Sequence, residues 1–256
     1  MTELENRSAG EKIALTIMYD GTRFHGWQVQ NNARSVQGTL QDALENVLGF
    51  RPDVTGVSRT DAGVHANNYV CHILKGSITL SPERLCAALT YHLRDSGIAV
   101  KNAQIKDADF HARYSCTAKE YVYKIWNARY MNPFLENRAM FYPCEIDIEK
   151  MRFCEREFVG THDFCAFMTK GSKNENNTVR TVKYFNVTRE DELVTVSVCA
   201  DGFLYNMVRI MVGTYIDLAR RGALEGDLLR IIESKERKYA GDTAPACGLY
   251  LNKIFY

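Results

Sequence analysis

The sequence predicts a mixed α/β (α+β) protein whose first half is a split βαβ, ferredoxin-like module, and three observations carry that expectation. Residues 12–19 alternate with period two, placing Ile13, Leu15, Ile17 and Tyr19 on one face before the turn pair Asp20-Gly21 ends the run. From Ser35, whose hydroxyl suits an N-cap, Val36, Leu40, Ala43, Leu44, Val47 and Leu48 recur at helical spacing until Gly49. Strand-like runs follow at 53–57 and 69–74. A second helix then opens at Ser81-Pro82 with Leu85, Ala88, Leu89 and Leu93, and a strand lies at 98–105. The order β, α, β, β, α, β gives a sheet with both helices on one face.

The second half reads as strands at 120–126, 178–187 and 193–199, with helices at 147–158, 203–220 and 227–236. Between them, 160–177 contains the polar run GSKNENN and is expected to be a mobile loop. The halves share an order of elements but no close sequence repeat.

A chain of 256 residues, 46% hydrophobic and 25% charged, is long enough for two modest domains or one large one. No apolar run reaches the roughly 18 residues of a membrane span, and the start MTELENRSAGEK lacks a secretory core, so a cytosolic protein is expected. Cys71, Cys86, Cys116, Cys144, Cys154, Cys165, Cys199 and Cys247 are scattered without a CxxC pair, which predicts reduced thiols. The histidines form no HExxH and no Cys/His ligand spacing, so no metal is expected. Neither GxxxxGK[ST] nor GxGxxG occurs, which disfavours nucleotide-driven chemistry. A net charge of +1 means that any nucleic-acid contact must come from a local basic surface.

Three segments could carry chemistry. In GVSRTDAGVHA (56–66), Arg59 and Asp61 lie between strand-like runs, where rigid sheets present reactive groups, although an Asx-turn would explain an isolated Asp equally well. In FLYNMVRIMVGTYIDL (203–218), an apolar helix is expected to bury Arg209 in its middle. A guanidinium there requires a carboxylate or phosphate partner, and its fork suits a carboxylate: Asp61, or a structural partner such as Asp217 or Glu225. In DFHARYSCTAKEYVYKIWN, Phe110, Tyr114, Tyr121, Tyr123 and Trp126 interleave with His111, Arg113, Lys119 and Lys124, as on surfaces that hold unpaired bases. A strand burying Tyr121, Tyr123 and Ile125 on one face accounts for most of the same pattern.

Six ordered motifs bring these segments together: YDGTRFHGWQVQ, SVQGTLQDAL, SRTDAGVHA, FHARYSCTAKEYVY, FLYNMVRIMVG and APACGLYL. With them the chain resembles the tRNA pseudouridine synthase A family along nearly its whole length. The resemblance implies that Asp61 is the essential aspartate, attacking the target nucleoside or drawing a proton from its ribose. It implies that Tyr121 stacks on the base and helps move the C5 proton, that Arg209 salt-bridges the aspartate and that Arg59 holds the flipped nucleotide. Arg113, Lys119 and Arg180 are expected to meet phosphates.

Uridine isomerisation moves no electrons to an outside group, so no cofactor is implied. The resemblance further implies two ferredoxin-like halves, 1–108 with the catalytic Asp and 109–256 with the stacking Tyr and buried Arg. Their sheets would join into an extended, largely antiparallel mixed sheet, with helices on one side and an RNA-binding cleft. Its expected substrate is tRNA at positions 38, 39 and 40 of the anticodon stem-loop, bound across a homodimer. Departures from the family pattern stand at Val29, Ser58, Asn67-Asn68-Tyr69 and Tyr91–Asp95; none removes a catalytic group, and they bear on which uridines are chosen. The rival readings are a noncatalytic tRNA-binding protein on the same scaffold and an isomerase of free nucleosides.

Overall fold

In the computed structural model of the protein, which describes residues 10–169 and 177–256, the period-two run becomes strand β1 (Lys12–Tyr19), with Ile13, Leu15, Ile17 and Tyr19 buried. β1 pairs antiparallel with β3 (His65–Leu74) on one side and β4 (Ile98–Lys106) on the other, Leu15 lying opposite both Cys71 and Ala103. Short β2 (Thr55–Gly56) pairs antiparallel with β3. The order β4-β1-β3-β2 is that of the split βαβ module.

Helix α1 (Val36–Leu48) begins where the Ser35 hydroxyl accepts the Gly38 N–H at 3.1 Å, and it stops at left-handed Gly49. Helix α2 (Pro82–Leu93) is capped by Ser81 and starts on its proline. Val36, Leu40, Leu44, Leu85, Leu89 and Leu93 bury the apolar stripes of the two helices.

The chain divides into two compact units, the described part of Met1–Thr117 with Leu251–Tyr256, and Ala118–Tyr250. Strand β10 (Leu249–Phe255) starts in the second and ends in the first. In the second unit, β5 (Ala118–Trp126), β9 (Leu193–Ala200), β8 (Val179–Glu190) and β7 (Gly160–Asp163) pair antiparallel in that spatial order, while β6 (Met140–Phe141) runs parallel to β5. Helix α3 (Arg152–Phe158) packs on β8 through Phe158, whose ring lies 4.6 Å from that of Phe185. Helices α4 (Met207–Arg221) and α5 (Asp227–Ser234) complete the unit.

Three expectations are corrected. The stretch taken as a loop contains β7, which pairs with 179–182, and a 3-10 turn at Cys165–Phe167 that buries Phe164, Ala166 and Phe167. Those apolar anchors outweigh the polar composition around them, and GSKNENN itself, at 171–177, lies outside the described residues except for Asn177. The helix expected from 147 begins only at Arg152: Asp147 accepts the Lys150 N–H at 3.1 Å, but the turn that follows closes through i→i−3 bonds, Met151 N–H to the Ile148 carbonyl and Arg152 N–H to that of Glu149, so α-helical geometry starts a turn later. The helix expected from 203 begins only at Met207, because Asn206 has φ +61°, outside the helical region.

Candidate active site

The loop from Ser58 to Val64 carries Asp61 between β2 and β3 and is tied on several sides to residues 19–27. Trp27 N–H donates to the Thr60 carbonyl (3.2 Å) and Gly63 N–H to that of Phe24 (3.2 Å), while within the loop Val64 N–H donates to the Asp61 carbonyl (3.2 Å). The hydroxyls of Tyr19 and Thr60 share a hydrogen bond of 2.9 Å, and the Tyr69 phenol donates to the Ser58 carbonyl at 2.5 Å. One residue beyond the loop, the buried His65 accepts the Gly21 N–H on Nδ1 at 3.0 Å, with an Asp20 carboxylate oxygen 3.3 Å away.

Gly26 brings the two segments this close. Its φ is +88°, and a Cβ there would lie 2.3 Å from the Thr60 oxygen. Asp61 is therefore a half-buried carboxylate on a backbone fixed before any ligand arrives, and Arg59 is exposed beside it. This is the geometry a nucleophile or base needs: access for the substrate and little freedom for the attacking group.

The second unit presents the other expected residues. Tyr121, on β5 opposite Val198, is 8% exposed, and its ring meets Phe203 edge-on at 5.1 Å. Tyr123 is core: its phenol donates to the Pro245 carbonyl at 2.7 Å, and burial pushes its pKa well above the ordinary value. In the first unit Tyr114 is 76% exposed with the Arg113 guanidinium 5.7 Å from its ring, an open stacking surface. Lys119, at the start of β5, is half-buried.

Arg209 corrects its expectation. It stands in the first turn of α4 rather than its middle, and it is half-buried rather than buried. Its Nε donates to the Ala244 carbonyl at 2.6 Å and a terminal nitrogen to the Asn206 side chain at 2.8 Å, while Ala244 N–H returns a bond to the Arg209 carbonyl. A guanidinium at the head of a helix fits there because carbonyl and amide oxygens replace its hydration. The two structural partners considered for it are held by other arginines, Asp217 by Arg220 and Arg221, and Glu225 by Arg156 at 3.0 Å.

Sequence reasoning quoted Gly26 and Trp27 within YDGTRFHGWQVQ and Tyr69 as a departure from the family pattern, but gave none of them the part it plays here, holding the Asp61 loop. Among the described residues no group of three His, Cys, Asp or Glu is placed to hold a metal ion.

A family model described as tRNA pseudouridine synthase matches residues 15–115 and 155–256. The chain is 42% identical to tRNA pseudouridine synthase A of Acetivibrio thermocellus over 244 residues, covering 95% of this chain and 99% of the relative. It is likewise 42% identical to tRNA pseudouridine synthase A of Ruminiclostridium cellulolyticum over 246 residues, covering 96% and 99%. Among solved structures, a chain of a Cbf5-Nop10-Gar1 complex matches with a TM-score of 0.37 and 11% identity, covering 79% of this chain and 53% of that one.

Proposed function

The chain belongs to the tRNA pseudouridine synthase family, and from that premise we propose how its own residues isomerise uridine in tRNA, with Asp61 as the central catalytic carboxylate. The supporting observation is the backbone clamp just described, which fixes the Asp61 main chain and leaves the side chain half-exposed. The target base must first leave its stack, at a cost of a few kcal/mol. Arg59 grips the flipped nucleotide, and Tyr121 stacks on the uracil and helps move the C5 proton. Asp61 attacks the nucleoside or takes a ribose proton while the glycosidic bond breaks and the base rejoins through C5. Arg209 is assigned as the guanidinium partner of the carboxylate, and Arg113 and Lys119 meet phosphates.

The uridines are those at positions 38, 39 and 40 of the anticodon stem-loop, and the enzyme works as a cytoplasmic homodimer without a cofactor. Residues 1–108 form the half carrying the aspartate, and 109–256 the half carrying Tyr121 and Arg209. No helix among the described residues is long and apolar enough to cross a membrane.

The test is incubation with unmodified tRNA transcripts, followed by mapping of pseudouridine through carbodiimide-dependent reverse-transcription stops. Stops are expected at the three anticodon-stem positions. Asp61→Asn keeps the shape and loses the charge, so it is expected to bind tRNA and yield no stops. Appreciable turnover by that variant sinks the assignment.

A further inference from the structure

Tyr69 is 0% exposed, sits on β3 opposite Ile17, and has none of the catalytic or substrate-binding roles assigned above. Its ring stacks on Trp27 at 4.1 Å with an interplanar angle of 25° and leans on Tyr19 at 5.8 Å. Its phenol donates to the Ser58 carbonyl at 2.5 Å, and Tyr19 binds the Thr60 hydroxyl at 2.9 Å. Trp27, whose ring makes that stacking contact, also donates its backbone N–H to the Thr60 carbonyl at 3.2 Å. One aromatic cluster thus holds the loop on both sides of Arg59, directly before Asp61. The chain also makes room for the phenol: a Cβ at Gly56 would lie 2.1 Å from the Tyr69 oxygen and 2.6 Å from the Trp27 ring. A single phenol is buried, given a glycine-lined slot and aimed at one loop carbonyl.

We propose that Tyr69 is a positioning residue for catalysis, setting the Asp61 backbone through its hydrogen bond to the Ser58 carbonyl. The inference rests on the reading of Asp61 as the catalytic carboxylate. Each residue spans at most about 3.3–3.6 Å of chain, so an anchor three residues upstream controls Asp61 to within a short arc. Misplacing a reacting group by about 1 Å costs on the order of a hundredfold in rate. The bond holds the enzyme's own loop and touches no substrate, so its loss is felt in the chemical step and not in RNA binding.

Tyr69→Phe removes the hydroxyl alone and keeps the stack on Trp27. Single-turnover rates at saturating enzyme, with Asp61→Asn run in parallel, separate chemistry from binding. The expected result is an inactive Asp61→Asn, and a Tyr69→Phe whose rate falls about ten- to a hundredfold while its affinity for the tRNA transcript stays within about twofold. Tyr19→Phe, which removes the second hydroxyl, is expected to move the rate in the same direction. If Tyr69→Phe melts earlier but turns over at the parent rate well below its melting temperature, the phenol serves stability alone and the proposal is overturned. If affinity falls and the rate does not, it is overturned too. If Asp61→Asn turns over, the reading of the carboxylate fails and takes this inference with it.

Discussion

At Gly26 two costs of a side chain coincide, and they can be separated. With φ at +88° any L-residue is strained, by roughly 1–2 kcal/mol, and a Cβ there would also press to within 2.3 Å of the Thr60 carbonyl, one residue from Asp61. Gly49 shares the first cost without the second: its φ is +78° and nothing lies within 4 Å of the position a Cβ would take. Gly26→Ala is therefore expected to lower stability by about 2–4 kcal/mol and single-turnover rate by more than tenfold. Gly49→Ala should lower stability by about 1–2 kcal/mol and leave the rate unchanged. Urea denaturation and single-turnover assays on both variants check this. Equal rates for the two would mean that close approach at Gly26 does not reach Asp61.

Among the elements, α5 shows how a buried carboxylate is put to use. Its first turn has no side-chain cap of its own, and Glu157 of α3, 7% exposed, accepts the N–H groups of Gly226 at 2.6 Å and Leu229 at 3.2 Å. Charge on those oxygens also meets the positive end of the helix. Glu157→Gln keeps the size but loses the charge and one acceptor, so unfolding in urea is expected to cost about 1–3 kcal/mol less; an unchanged midpoint would mean that water caps α5 as well. Such long-range caps are what a sequence hides. Strand β1 and helices α1 and α2 were legible because period, cap and stop all lie within the element: Ser35 and Gly49 bracket α1 in plain view. The late start of α4 was not, since nothing in FLYNMVR announces a left-handed Asn206. Strand β7 was hidden by composition, its pairing with 179–182 being a tertiary fact. In the same way the segment bearing Asp61 was readable as a loop between strands, whereas its clamps, Tyr19 on Thr60 and Tyr69 on Ser58, join residues 41 and 11 positions apart.

For the molecule as a whole, 32 basic against 31 acidic side chains leave little net self-repulsion near neutrality, so the response of stability to mild acid falls to individual groups. His72 is one such group. It is 6% exposed on β3, its Nδ1 accepts the Ala112 N–H at 3.2 Å, and its ring lies 5.0 Å from that of His111. Burial first, then the nearby charges of His111 and Lys12, push its pKa from 6.5 down to about 4. His111 is lowered as well, again by burial first and then by Lys12. The sign follows from linkage. Above pH 6.5 His72 is neutral in both folded and unfolded chains and favours neither; as pH falls from there toward 4, the unfolded chain takes up a proton that the folded chain refuses, and stability is lost. At about 1.4 kcal/mol per unit the loss reaches roughly 2 kcal/mol at pH 5 and about 3 below pH 4. The shifted Asp163, lowered below its ordinary 3.8, titrates under this window and does not confuse it. Urea denaturation of the parent chain should therefore show that loss between about pH 7.5 and 5. His72→Gln, which retains an acceptor for Ala112 and cannot be protonated, should remove most of it, and a variant as acid-sensitive as the parent would mean that His72 takes up its proton without unfolding the sheet.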